Sequence, residues 1–242
     1  MTKSNAEQED FIKNGILSHY IKWSYFLNWL KKDAILLGDY AEWEDKSDVA
    51  ILDAYVERNK NIPIRVLCLL NRAGDYRDSY YHWKVYTNKK DGIRIDFNKE
   101  KLLKALGSKV IAREVQYPDT KTLKKYVKSI DDLPFIKRVS YDSDKEIRLI
   151  FSRDKNLIKK GKLFEFKVEK DFFIECIDGI RLSCSMSNKE IEDIKKILKK
   201  HGIEKNIYCS KIFRNELWEK MVLNVVDSKP SNKGDKNEKK FL

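Results

Sequence analysis

The chain is predicted to fold as an α+β domain, a mixed or antiparallel central sheet flanked by helices, and three stretches carry that prediction. Ile64 to Leu70 is almost wholly apolar, the pattern of a central strand buried on both faces. Ile93, Ile95 and Phe97 alternate with Arg94 and Asp96, the period-two pattern of a half-buried strand. Ser187 to Lys200 reads as a helix. Ser187 and Glu190 form a capping box, Ile191, Ile194, Ile197 and Leu198 line one face, and Gly202 follows the end.

The remaining elements follow in order. Glu7 to Lys13 suits a short leading helix, Gly15 to Tyr20 a short strand, and Ile21 to Lys32 a helix with Trp23, Phe26, Leu27 and Leu30 at helical spacing. Ala34 to Leu37 is a second short strand, Asp39 to Asp48 an acidic loop, and Val49 to Lys60 a helix broken by Pro63. Beyond the Tyr80 to Tyr86 aromatic cluster come a helix at Asn98 to Leu106, a strand through Val110 to Tyr117 and a surface helix at Lys121 to Ile130. Glu146 to Phe151, Leu163 to Val168, Phe172 to Ile177, Ile180 to Cys184 and Ile207 to Cys209 read as strands, with a turn at Asp178-Gly179. Arg214 to Asn224 closes the fold as a helix. Residues 1–15 are thus a helical lead-in, 16–225 one α+β domain, and 226–242 a disordered basic tail.

Composition narrows the class of protein. With 242 residues, 42% hydrophobic and 12% aromatic, the chain can bury one sizeable core. No apolar run approaches the roughly 20 residues of a membrane span, and Met1 to Asp10 is polar and acidic, unlike a signal peptide. A cytoplasmic protein without a membrane partner is expected. Cys68, Cys176, Cys184 and Cys209 show no C-x-x-C spacing and suit reduced, mostly buried thiols. The three histidines cluster with no cysteine pair, so no metal is expected. Walker A, G-x-G-x-x-G, G-x-S-x-G and H-E-x-x-H motifs do not occur.

Charge is the first functional signal. Lys and Arg number 50 against 38 Asp and Glu, for +12 overall. Residues 1–60 sum to −3 and residues 61–242 to +15. A basic surface concentrates polyanions, so nucleic acid is a partner class to weigh. A lysine-, isoleucine- and asparagine-rich chain also reflects an AT-rich genome, so charge alone leaves the choice open.

Four segments could carry chemistry. Ser18-His19-Tyr20 sets an imidazole and a phenol at a strand end, suited either to gripping a nucleotide or to capping the next helix. If Asp144, Glu146 and Arg148 lie on one strand they share a face, where repulsion could raise one carboxyl pKa while the arginine keeps the other ionised. Such a face could stabilise an oxocarbenium-like sugar; the alternative is a solvated ladder of charge. Tyr80 to Tyr86, beside Arg72, Arg77, Lys84 and Lys89, suits a stacking platform for bases, although Trp83 fits the core better and His82 and Tyr81 stay open. Glu165-Phe166-Lys167 matches the E-x-K element of metal-dependent nucleases without an aspartate placed to complete it.

Read together, these segments resemble a widespread bacterial family of unknown function found near mobile elements and abortive-infection (phage-defence) genes. The resemblance runs from residue 16 to about 214. It is carried by Ser18-His19-Tyr20, Trp43-Glu44-Asp45, Val66 to Leu70, Trp83 to Tyr86, Gly92-Ile93-Arg94-Ile95-Asp96-Phe97, and the Lys137 to Ile150 segment. The chain departs from the family at Glu44-Asp45-Lys46, at Cys68-Leu69-Leu70, and at Asp144, where glutamate is usual. The layout is also distantly similar to that of ADP-ribosyltransferases. That likeness implies an ADP-ribosyltransferase-like fold, NAD as substrate, and a nucleic-acid or protein acceptor. His19, with Tyr20, would hold NAD, Glu146 would be catalytic, Asp144 would orient the acceptor, and Tyr81 or Tyr86 would stack on nicotinamide. A partner protein from the same defence locus is a further implication. A binding module without catalysis is the alternative.

Overall fold

The computed structural model describes residues 15–72, 78–87, 90–152, 161–204, 206–212 and 215–227. The leading helix expected at Glu7 to Lys13 and the tail from Ser228 onward lie outside these residues.

Among the described residues, nine strands and eight α-helices make a mixed α/β structure around a mostly antiparallel sheet. The chain enters on β1 (Ile16–Lys22), turns into α1 (Trp23–Lys32) and leaves through β2 (Ala34–Leu37). Asp45 caps α2 (Lys46–Arg58), accepting from the Ser47 and Asp48 N–H groups, so this helix starts inside the expected acidic loop. β3 (Ile64–Asn71), α3 (Tyr80–Thr87), β4 (Gly92–Asn98), α4 (Lys99–Leu106) and β5 (Val110–Glu114) follow. Only α5 (Leu123–Tyr126) forms within the surface helix expected at Lys121 to Ile130. β6 (Glu146–Ser152), β7 (Phe164–Lys167), α6 (Lys170–Glu175), β8 (Ile177–Leu182), α7 (Asn188–Lys200), β9 (Ile207–Cys209) and α8 (Glu216–Asp227) complete the order.

The main sheet runs β5-β6-β3-β1-β4-β8-β9, antiparallel throughout except for the parallel pair β8 and β9. β2 and β7 form a separate antiparallel ribbon. No helix among the described residues is long and apolar enough to cross a membrane.

Cross-strand register fixes two faces. One carries Leu17, Leu67, Leu69, Ile93, Ile95, Ile147, Leu149 and Ile180, and packs with α1, α4, α6, α7 and the β2–β7 ribbon in the largest core. Trp29, Leu102, Phe173 and Leu198 are among the buried contributions of the four helices. The other face was expected to be solvated on β4, yet Arg94 and Asp96 are buried there. α2, α3 and the 3-10 turn Ile130–Phe135 cover it, with Leu52, Tyr55, Phe135, Trp83 and Tyr20 as the apolar seals.

Two sequence expectations fail between β7 and β9. Phe172 to Ile177 is α6 followed by the first residue of β8, not a strand, since a short apolar run suits either state. Phe173 and Cys176, three residues apart, both turn into the core. Asp178-Gly179 lies inside β8 instead of forming a turn. A Cβ at Gly179 would sit 3.3 Å from the Asn206 carbonyl, so glycine lets the β9 end of the sheet approach.

Candidate functional site

The charged face of the sheet is built around two buried arginines. On β4, Arg94 binds Asp96 through two bonds, of 2.9 and 2.7 Å, and donates a third to Asp78 at 2.9 Å. Both residues point the same way because they are two apart on a strand. Ser18 donates to Asp96 and Ser210 to Asp78, which ties β1 and the chain after β9 to the same guanidinium.

On β6 the same spacing recurs in reverse. Arg148 Nε donates to Glu146 at 2.6 Å, while its two terminal nitrogens hold Asp48 of α2 at 2.9 and 2.5 Å. A further bond reaches the Pro134 carbonyl. Trp43 lies 5.8 Å from the guanidinium. Lys137 then bridges Glu146 at 3.1 Å and Asp144 at 3.2 Å. From Asp144 the network continues outward. The His82 Nε2–H donates to one oxygen and the Tyr86 hydroxyl to the other, both at 3.4 Å.

Electrostatics follow from this pairing. Burial works to raise the Glu146 pKa, but Arg148 and Lys137 outweigh it and hold the carboxyl below its usual range. Asp144 is also lowered against burial, by the His82 hydrogen bond and by Lys137. The expectation that one of the two would be raised is therefore corrected: Lys137 supplies a second cation, and both stay ionised. Asp48 is the carboxyl pushed up, by burial, with Arg148 opposing. Burial and the nearby Asp144 charge push the Tyr86 hydroxyl up. Cys68, beside Glu146, is raised well above the ordinary thiol by burial and then by that carboxylate.

The residues picked out in the sequence separate into two groups. Asp144 does not sit on the Glu146 strand; it ends the 3-10 turn Val139–Asp144, and Lys145 follows in a left-handed conformation at φ 43°. The period-two argument fails there, although Lys137 still brings the two carboxylates together. Tyr81 and Tyr86 are exposed on α3 beside them. Tyr20 lies on this face too, but buried: its ring meets Trp83 edge-on at 5.1 Å and His82 at 5.6 Å, and its hydroxyl accepts from Arg72. It is a core residue, not an open contact.

His19 is the main correction. Ser18 pairs with Leu70, and Leu70 pairs with Glu146, so Ser18 shares the Glu146 face and His19 points to the opposite one. There it stacks on Trp29, 5.6 Å between centroids and 13° between planes, and its Nδ1–H donates to the Cys68 carbonyl. Burial lowers its pKa from 6.5 to about 4, and the Cys68 bond offsets part of that shift. His19 and Glu146 cannot address one nucleotide in a common cleft.

Lys84 is exposed on α3, whereas Arg72 is half-buried against Tyr20. Arg77 and Lys89 lie outside the described residues. Glu165, on the separate ribbon, pairs with Lys32 at the end of α1, apart from the Glu146 cluster. Among the described residues no group of three or more His, Cys, Asp or Glu side chains is arranged to hold a metal ion. The four cysteines form no disulfide; Cys176 is buried, Cys209 exposed and the other two half-buried.

Lys137, Asp48 and His82 are the members that sequence reasoning did not assign. Lys137 opens the segment quoted for the family resemblance, so its place in that segment was visible, but no spacing rule marks it as the bridge. Compared with models of known protein families and with curated proteins, the chain matches none.

Proposed function

We propose that the chain is a non-enzymatic nucleic-acid-binding module of a bacterial phage-defence or toxin–antitoxin system, with α3 as its contact surface. One observation supports this most: α3 is divided between anchor and platform. His82 and Trp83 are buried against the sheet, while Tyr80, Tyr81, Lys84 and Tyr86 are exposed. Tyr86 stacks on His82 at 17°, and His82 is held by Asp144, so the buried ion network limits how far the aromatic ring can move. Aromatic faces held this way stack on bases of a single strand, and cations nearby meet its phosphates. The defence setting comes from the family resemblance.

Fluorescent single-stranded RNA and DNA titrated at about 50 and 200 mM salt test the reading, because phosphate contacts make affinity fall steeply with salt. Tyr81→Ala and Tyr86→Ala should each weaken binding by about 1–3 kcal/mol. Absent or salt-independent binding would sink the proposal.

ADP-ribosyl transfer from NAD is a second reading. What favours it is the gathering of Asp144, Tyr81 and Tyr86 around His82 on the Glu146 face, where His82 could take the place that His19 cannot. NAD turnover with mixed RNA, DNA and protein acceptors tests it; turnover unchanged in Glu146→Gln would remove it.

A further inference from the structure

We propose that α8 is a docking element for a second copy of this chain, inserting into the groove between α2 and residues 127–133 of that copy. Twelve residues long, α8 contributes no described side chain to any of the three apolar clusters. Leu217, Trp218, Met221 and Val222 fall at i, i+1, i+4 and i+5 and so form one face of the helix. That face is open: Leu217 is 66% and Trp218 64% exposed. A contiguous apolar face of this kind marks an interaction surface.

Charge selects the occupant. α8 carries Glu216, Glu219 and Asp227 against Lys220, for −2, so the rest of the chain sums to +14. Anionic lipid and nucleic acid would repel such a helix, whereas a basic, apolar protein surface attracts it. This chain offers one. A groove of about 490 Å³ is lined by Ile51, Ala54, Ile130 and Leu133, with Arg58 and Lys128 among its lining and no carboxylate. A helix laying its apolar face in a groove, anchored by a tryptophan, is a standard mode of recognition. Exchange between two copies closes on itself as a two-fold dimer and doubles the area one helix can bury, toward the roughly 1,000 Å² a specific interface needs.

Light scattering and sedimentation of the full chain test this. The wild type should dimerise at concentrations up to about 100 μM, while Trp218→Asp and Ile51→Asp should each be monomeric. Mixing the two variants should restore a weaker dimer, because one intact helix then meets one intact groove. Should Ile51→Asp fail to fold, the exposed pair Arg58→Glu and Lys128→Glu should weaken association by about tenfold or more. A monomeric wild type would overturn the proposal. So would loss of the dimer in Trp218→Asp with full retention in the groove variants, since that pattern means α8 pairs with α8.

Discussion

Arg94 and Arg148 share one sheet face and one local pattern, yet they close differently. Arg94 is held by Asp96 and Asp78, the hydroxyls of Ser18 and Ser210 donate to those carboxylates, and Arg181 lies 3.9 Å from Asp78 at the edge of the cluster. Arg148 with Lys137 faces three carboxylates, and the surplus passes through Asp144 to His82 and Tyr86, one of them exposed. The first cluster locks strands together. The second does so and also reaches the surface that α3 presents. A buried charge can therefore serve the fold alone or set the stiffness of a contact surface, and the difference lies in where its last partner sits.

The largest effect that can break this comparison is removal of a guanidinium. Arg148→Ala and Arg94→Ala should each cost about 3–5 kcal/mol in urea unfolding, because each strands buried carboxylates without a counter-charge. If the clusters differ in role, the folded fraction of Arg94→Ala should keep its oligonucleotide affinity, while Asp144→Asn should lower it. A combined Asp48→Leu, Glu146→Leu and Arg148→Met chain sharpens the point. Replacing a buried ion triad by apolar residues is often neutral or stabilising, so near-wild-type stability is expected, and because Lys137, Asp144 and His82 stay paired, Tyr81- and Tyr86-dependent binding should be kept.

Smaller effects come from titration. Glu146 and Asp144 have folded pKa values below their free ones, so their stabilisation is present above about pH 4 and fades as pH falls through the lowered values. Asp48, raised by burial, acts in the opposite sense. His19 reports a separate window on the other face. With its pKa lowered from 6.5 to about 4, protonation favours the unfolded chain, so stability declines as pH falls from 6.5 to 4. Urea midpoints across that range should flatten in His19→Phe. The smallest effect belongs to Lys84→Ala, which should shift stability by no more than about 0.5 kcal/mol and reduce the salt slope of binding by about 1.

What could be read from the sequence divides along the same two faces. The apolar face was plain because alternation at Ile93, Ile95 and Phe97 and the capped α7 are local signals, and β3, β4, β6 and α7 formed where expected. The charged face was not, because burial of Arg94 and Arg148 depends on partners far along the chain. Glu146 and Arg148 were recognised as neighbours, but Lys137 and Asp48 enter only through tertiary packing. His19 misled for a related reason: residue order places it beside Tyr20, whereas strand alternation sends the two to opposite sides. α6 was mistaken for a strand because periodicity does not separate a short buried helix from a buried strand.

The long reach of the charged contacts has a kinetic consequence. Arg148 and Asp48 are 100 residues apart, and Ser210 and Asp78 are 132 apart. Contacts of such separation carry a high loop-closure cost and slow the folding of the chain that needs them. During synthesis Asp48 emerges long before Arg148, whereas Asp78 meets Arg94 only 16 residues on, so the sheet centre can zip from β1, β3 and β4 while the β6 side still lacks its counter-charge. Ion-pair closure is then a late step of assembly, and a nascent chain halted before residue 146 would keep that side hydrated and open.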